Sequence, residues 1–272
     1  MTSVRLGAVG YLNARPLVFD LDRSPRFRLR YDVPSRCAAL LHEGAIDVGL
    51  IPSIEYLRGG PYHIVPDLAI ASRGPVASVA LYTTKPMRDV RSIAMDTSSR
   101  TSVALVRVLC ARLYRIRPAL EALDADLSAM LNRCDAALII GDNALFLNPD
   151  DVLVSGRQSP VQKEDLGETW TRLTGLPFVY AFWAGRPGAV TSEDVAALRR
   201  ARDEGVKRPD ELARAYFPDR AERQAIGARY LRDNITYGLD AEDRAGLVAF
   251  YRYAAEAGVV DESAVLRFFG QV

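Results

Sequence analysis

Within its first fifty residues the chain reads strand, helix, strand, helix, strand, and this order constrains its fold more than any other feature. Val4–Val9 is a short apolar run closed by Gly10, and a helical stretch follows at Pro16, where a proline is tolerated in a first turn. Phe27–Val33 alternates as a half-buried strand does and ends at Pro34, with Ser35 placed to cap a helix over Arg36–His42. Gly44 stops that helix. Asp47–Ile51 is then almost continuously apolar, as expected of a strand covered on both faces. Such alternation predicts a doubly wound α/β sheet.

Further strands are expected at His63–Ala71 and Val76–Thr83, after which Lys85-Pro86 breaks the pattern and a second α/β unit begins. That unit contains a strand at Arg91–Met95, helices at Thr101–Tyr114 and Leu120–Asn132, and a buried strand at Ala136–Ile140 ending in Gly141. Phe178–Ala184 is an aromatic strand, and beyond it the patterns are helical: Ser192–Glu204, Pro209–Tyr216, Ala221–Asn234 and Ala241–Ala257. The aromatic strand has no partner among those helices. The economical arrangement has the chain leaving one lobe near Thr83, building a second over residues 86–175, and returning near Phe178. Residues 1–85 plus 176–272 then form a discontinuous first lobe, and the two crossings make a hinge beside a cleft. A chain of 272 residues, 49% of them hydrophobic, is long enough for two modest cores.

Several function classes lose ground at once. Lysine plus arginine number 35 against 34 acidic residues, so the basic excess of a nucleic-acid binder is missing. Three cysteines, Cys37, Cys110 and Cys134, stand in unrelated contexts with no C-x-x-C pairing. They predict buried thiols in a reducing compartment, with neither a disulfide framework nor a zinc site. Met1–Val9 lacks the features of a secretory signal, and no apolar run reaches the ~20 residues a membrane span requires, so a cytoplasmic protein with no membrane partner is expected. Two histidines without metal-ligand spacing, and no G-x-G-x-x-G, Walker or G-x-S-x-G motif, argue against metal, nucleotide and triad chemistry. His42, at the end of a helix beside Gly44, is expected to interact with that helix terminus.

Ligands of open α/β sheets bind beyond the carboxyl ends of the strands, so the residues that follow each strand are the candidates. The first strand gives Tyr11, Asn13 and Arg15; the third gives Ser53 and Glu55; the fourth gives Ser72 and Arg73. In the second unit Asp96-Thr97-Ser98-Ser99-Arg100-Thr101-Ser102 precedes an apolar helix, and Gly141-Asp142 follows a later strand. Five hydroxyls at a helix start, beside N–H groups with no intrahelical partner and the positive end of the helix dipole, favour a compact anion such as a carboxylate. A redundant helix cap is the competing reading. Asn13 is a ligand-facing amide or a cap. Arg15, Arg73 and Arg100 pair with a carboxylate ligand or with the protein itself. Glu55 and Asp142 are acid–base groups or helix-start caps.

Four stretches carry a specific resemblance: Gly7 through Leu17, Asp47 through Tyr56, Ala94 through Ser102, and Gly175 through Phe182. In that order they resemble the chorismate dehydratases of the futalosine route to menaquinone. A sister family of the same route, the naphthoate-forming enzymes, looks like Ser-Pro-Cys-Pro-Asn-Asp where this chain has Gly10-Tyr11-Leu12-Asn13-Ala14-Arg15. The resemblance implies a two-lobed fold of the type-2 periplasmic-binding class. It also implies cofactor-free loss of water from chorismate to give 3-[(1-carboxyvinyl)oxy]benzoate. Asn13 is then the expected catalytic residue. Tyr11, Arg15, Ser53, Ser72, Thr97, Ser98, Ser99, Arg100, Thr101, Gly141 and Asp142 are the expected substrate-binding set. A solute-binding or sensing module on the same fold is the rival from another class. The sequence leaves the oligomeric state and the general base open.

Overall fold

A computed structural model describes residues 3–152, 160–262 and 264–270. Among these, ten strands follow one another as β1 Val4–Val9, β2 Phe27–Asp32, β3 Val48–Pro52, β4 His63–Ser72, β5 Val79–Thr83, β6 Ser92–Met95, β7 Ala119–Ala122, β8 Ala136–Ile140, β9 Gln162–Asp165 and β10 Phe178–Gly185. They form two five-stranded sheets, ordered β2-β1-β3-β10-β4 and β7-β6-β8-β5-β9. β2 and β3 flank β1 in parallel, and β7 and β8 flank β6 in parallel. The strands laid down after each crossing run antiparallel: β5 between β8 and β9, β10 between β3 and β4. Each lobe therefore receives one returning strand into the middle of its sheet.

The first crossing lies between Ser72 and Val79, earlier than the expected exit near Thr83, because Val79–Thr83 belongs to the second sheet. All five of its residues are buried, and a uniformly apolar strand does not declare which sheet it will join. Residues 120–132 also differ from the single expected helix. Ala119–Ala122 pairs with β6 as an edge strand. The helix starts only at Leu127, because the Asp126 carboxylate caps it by accepting from the Ala129 N–H at 3.0 Å.

Helix α1 spans Pro34–His42, with Pro34 in its first turn and no side-chain cap, so Ser35 lies inside the helix and does not cap it. Helix α2, Arg100–Leu109, continues as a wider turn through Tyr114. The short α3 Leu127–Arg133, α4 Gly141–Phe146 and α5 Leu166–Thr174 complete the second unit; α4 and α5, like β9, were not anticipated. Four helices close the chain: α6 Ser192–Gly205, α7 Pro209–Tyr216, α8 Ala221–Asp233 and α9 Ala241–Glu256. They pack on the first sheet and on the short 3-10 turn Leu12–Val18 after β1. A Cβ on Gly205 would lie 2.3 Å from the Pro16 carbonyl oxygen, so only glycine lets α6 sit this close. The C-terminal helices thus buttress the segment that carries Asn13.

Cys37, Cys110 and Cys134 are buried thiols, as expected. Burial pushes the Cys37 thiol up to about 12, and it donates to the Ala8 carbonyl. His42 does not serve a helix end: its ring nitrogens meet the Tyr62 hydroxyl at 2.7 Å and Glu55 Oε2 at 3.1 Å. Among the described residues no helix is long and apolar enough to cross a membrane, and no cluster of three metal-ligating side chains occurs.

Candidate active site

A cavity lies between the two sheets, where the carboxyl ends of β1, β3 and β8 converge. The first lobe contributes Tyr11 and Asn13, the crossing contributes Ser78, and the second contributes Ser99, Ser102 and Gly141. Val9, Ile70, Val76 and Ile140 supply an apolar wall. Among the described residues none that lines the cavity carries a charge.

Asn13 follows β1 within the turn Leu12–Val18, whose preceding residue Tyr11 offers no side-chain cap. Its Oδ1 is buried and has no hydrogen-bond partner among the described residues. An unmet buried acceptor costs roughly 1–3 kcal/mol, so it marks a position where a ligand donor is expected. Behind it, Ser78 Oγ and the Tyr230 hydroxyl are 2.7 Å apart. Burial pushes the Tyr230 hydroxyl well up, against the opposing influence of Ser78 and Asn13, so Tyr230 stays a neutral phenol. Ser78 follows Ala77, whose φ of 62° lies in the left-handed region. The Asp165 carboxylate holds that bend by accepting from the Val76 and Ala77 N–H groups at 3.0 and 2.6 Å.

Across the cavity, α2 presents its N-terminus. Ser99 is its cap, accepting from the Ser102 N–H, and the two hydroxyls lie 3.0 Å apart. Both line the cavity, whereas the other hydroxyls of the segment do not. Ser98 donates to Asp96 at 2.6 Å and accepts from the Tyr11 hydroxyl at 3.2 Å. Thr101 Oγ1 accepts from the Ile54 N–H at 3.2 Å and faces Ser53 Oγ at 3.4 Å, while Thr97 is exposed.

The remaining candidates also lie outside the cavity lining. Ser53 donates to the Val179 carbonyl at 2.8 Å, and Ser72 to the Gly74 carbonyl at 3.2 Å. Arg15 lies over the rings of Tyr31 and Tyr216, at 4.5 and 4.8 Å from their centroids, and donates to the Gly10 carbonyl. Arg73 pairs with Asp240, Glu242 and Asp243. Arg100 leaves the second lobe to meet Glu55 at 2.5 Å. That carboxylate is 1% exposed and also receives Arg58 and His42. Burial pushes the Glu55 carboxyl up, but the His42 hydrogen bond, the Arg100 charge and Arg58 outweigh it and hold the group below its usual value.

Asp142 is the second carboxylate at the lobe boundary. Its Oδ1 accepts from the Leu12 N–H at 3.2 Å and its Oδ2 from the Tyr216 hydroxyl at 2.6 Å. Burial pushes this carboxyl up, and Tyr216, Leu12, Arg15 and Arg223 offset only part of that. Gly141 beside it has φ +65°, and a Cβ there would stand 3.0 Å from the Tyr11 ring, so glycine allows the ring to close on this strand end. Ser78, Tyr216 and Tyr230 went unremarked in the sequence: one sits in an irregular crossing, and the other two come from distant helices whose patterns report only amphipathicity.

A family model described as menaquinone biosynthesis matches residues 4–256. A chorismate dehydratase of Thermus thermophilus is 34% identical over 259 residues, covering 90% of this chain and 93% of that protein. One of Campylobacter jejuni is 30% identical over 182 residues, 64% of each chain. Among solved structures, protein AF1704 from Archaeoglobus fulgidus superimposes with a TM-score of 0.72 at 15% identity, over 95% of this chain and 98% of its own. The periplasmic aliphatic sulphonate binding protein SsuA of Escherichia coli gives 0.63 at 17% identity, over 97% and 95%. At such identities the structural likeness speaks for the fold, which is that of periplasmic binding proteins. The match along nearly the whole chain speaks for kinship: the chain belongs to the menaquinone-biosynthesis family.

Proposed function

We propose that this chain is a hydro-lyase that converts chorismate into 3-[(1-carboxyvinyl)oxy]benzoate between its two lobes. The observation that carries the reading from the site itself is the buried, unpartnered Asn13 Oδ1 in a cavity lined by uncharged donors and apolar walls. Ser99 and Ser102, at the positive end of α2, suit one substrate carboxylate. Tyr11 and Gly141 also line the cavity, and Asn13 offers its open Oδ1 to the ring hydroxyl that departs. The other boundary residues, Ser53, Ser72, Ser98, Arg100, Thr101 and Asp142, shape the cleft from behind this lining.

The reaction removes a proton from the ring carbon bearing the enolpyruvyl ether and hydroxide from its neighbour. The C–H electron pair becomes the third ring double bond as the C–O bond breaks, and the proton and hydroxide leave as water. Since the described lining offers only uncharged side chains, the substrate's own enolpyruvyl carboxylate is the base this reading favours over a cleft carboxylate. The protein supplies orientation, neutral hydrogen bonds to the leaving oxygen and exclusion of bulk water. Nothing in the step calls for a cofactor. The reading places the work in the cytoplasm, where the buried thiols stay reduced.

The test is direct. Chelator-treated protein mixed with chorismate should produce a species lighter by one water, with the ultraviolet spectrum of a benzoate. Binding without turnover would leave a solute-binding module on the same fold. Turnover only with an added divalent ion would overturn the cofactor-free reading.

A further inference from the structure

Asp142 occupies an unusual place for a half-buried carboxylate, since it belongs to the second lobe yet serves the backbone of the first. The turn Leu12–Val18 has no cap of its own, because Tyr11 in the cap position makes no side-chain hydrogen bond to it. Its leading N–H, on Leu12, is met by Asp142 Oδ1 from across the cleft, 130 positions along the chain. Aspartate is among the best helix-capping residues, and here it caps in trans. Asn13 is the next residue.

The other oxygen completes the attachment. Tyr216 has one hydroxyl proton and two acceptors within reach, Asp142 Oδ2 at 2.6 Å and the Gly10 carbonyl at 2.9 Å. It thereby ties the second lobe, α7 and the end of β1 to a single point. Arg15 adds a second donor to the Gly10 carbonyl at 3.2 Å. The two side-chain hydrogen bonds of Asp142 therefore fall on the backbone just before Asn13 and on the helix that supports it. The carboxylate is not among the cavity-lining groups, so its influence on the reaction runs through Asn13.

We propose that Asp142 is a positioning residue that caps the Leu12–Val18 turn only when the lobes are together, so that closure itself sets the Asn13 amide for turnover. The inference rests on the dehydratase reading. It separates two functions that a closing lobe combines: Ser99 and Ser102 bring binding groups to the substrate, while Asp142 orders a residue of the opposite lobe. An enzyme built this way does not present a competent Asn13 while open, which protects a reactive substrate from partial chemistry in a wet cleft.

The experiment compares wild type, Asp142→Ala, Asp142→Asn and Tyr216→Phe for chorismate turnover, with thermal melts to verify folding. Losing a hydrogen bond to a charged group corresponds to about 10- to 150-fold, so Asp142→Ala should lose kcat on this scale with KM within about threefold of wild type. Asp142→Asn keeps an acceptor for the Leu12 N–H and should recover most of the lost kcat. Tyr216→Phe should fall between them. Hydrogen exchange at the Leu12 amide supplies a readout independent of rate. With 3-[(1-carboxyvinyl)oxy]benzoate bound, that amide should be protected in wild type and exchange faster in Asp142→Ala. A folded Asp142→Ala protein with wild-type kcat and unchanged protection would overturn the proposal, as would a loss confined to KM. Inactive wild type would instead defeat the dehydratase reading, which keeps the two failures apart.

Discussion

Two carboxylates, buried Glu55 and half-buried Asp142, join the lobes on either side of the cleft, and they are built in opposite ways. Glu55 is held by two guanidinium groups, Arg100 from the second lobe and Arg58 from its own, with a His42 ring nitrogen 3.1 Å away. Its carboxyl is held below the usual range despite burial. Asp142 hydrogen-bonds to a backbone N–H and a phenol, and burial raises its carboxyl above the usual range. An ion-paired latch favours charge at every working pH and holds the helix start of α2 in place. A latch of neutral donors is weaker, and it is suited to forming and breaking with each turnover. The difference assigns a structural task to the Glu55 side of the cleft and a conditional one to the Asp142 side.

The largest expected effect on stability is at Glu55. Glu55→Ala removes the carboxylate shared by two arginines and the His42 ring. Both arginines are more than a third exposed, so water recovers part of the loss, and a destabilisation of about 2 kcal/mol is expected. Because the folded-state pKa of Glu55 is lowered, its stabilising contribution is present above the usual carboxylate range and lost as pH falls through the lowered value. Denaturant melts of wild type and variant should therefore converge in acid. A gap independent of pH would remove the ionic part of the account.

The hydroxyls of α2 give the next effect. The sequence placed Ser98 and Thr101 among the expected anion contacts, yet these bond Asp96 and Ile54, and Ser99 and Ser102 face the cavity. Ser102→Ala should raise KM about tenfold, the scale of one hydrogen bond to a carboxylate, with little change in kcat. Thr101→Ala should act chiefly on thermal stability, since its hydroxyl secures Ile54. The reverse pattern would return the substrate to the outer hydroxyls.

The smallest effect separates the two carboxylates by sign. A raised folded-state pKa contributes stability below the ordinary carboxylate range and loses it as pH rises through the folded value. Asp142 faces Arg15, Arg223, Tyr216 and Tyr11, and these do not reverse the shift caused by burial. Asp142→Asn should therefore melt slightly higher than wild type at neutral pH and show no such advantage in acid. Lower melting of Asp142→Asn than wild type at neutral pH, with the gap closing in acid, would instead place Asp142 with Glu55.

Much of this arrangement was legible before any coordinates. The apolar runs at Val4–Val9, Asp47–Ile51 and Ala136–Ile140 are core strands, and the residues after them, Tyr11, Asn13 and Gly141, line the cavity. Strands buried on both faces announce themselves, and the rule that ligands sit beyond their carboxyl ends supplies the rest. The partners were not legible. Arg100 read as a possible anion contact because charge is visible in a sequence and its consumption by Glu55 is not. Tyr216 and Tyr230 reach the site from α7 and α8, whose sequences specify only which face is buried. Val79–Thr83 joined the other sheet because burial of a strand is encoded locally and its choice of neighbours is not.

The central claim is that an uncharged cleft dehydrates chorismate with the Asn13 amide at the departing oxygen, and Asn13→Asp tests it most directly. Aspartate matches the size of asparagine and caps a turn as well, so a structural role would survive the change. It exchanges the neutral amide, whose Oδ1 is the open acceptor of the site, for a negative charge, in a cavity whose described lining holds no cation, beside a dianionic substrate. A normally folded protein that still binds chorismate but turns it over at least ~100-fold more slowly is expected, the scale of disturbing one preorganised electrostatic contact at the leaving group. Near-normal turnover in Asn13→Asp would contradict it.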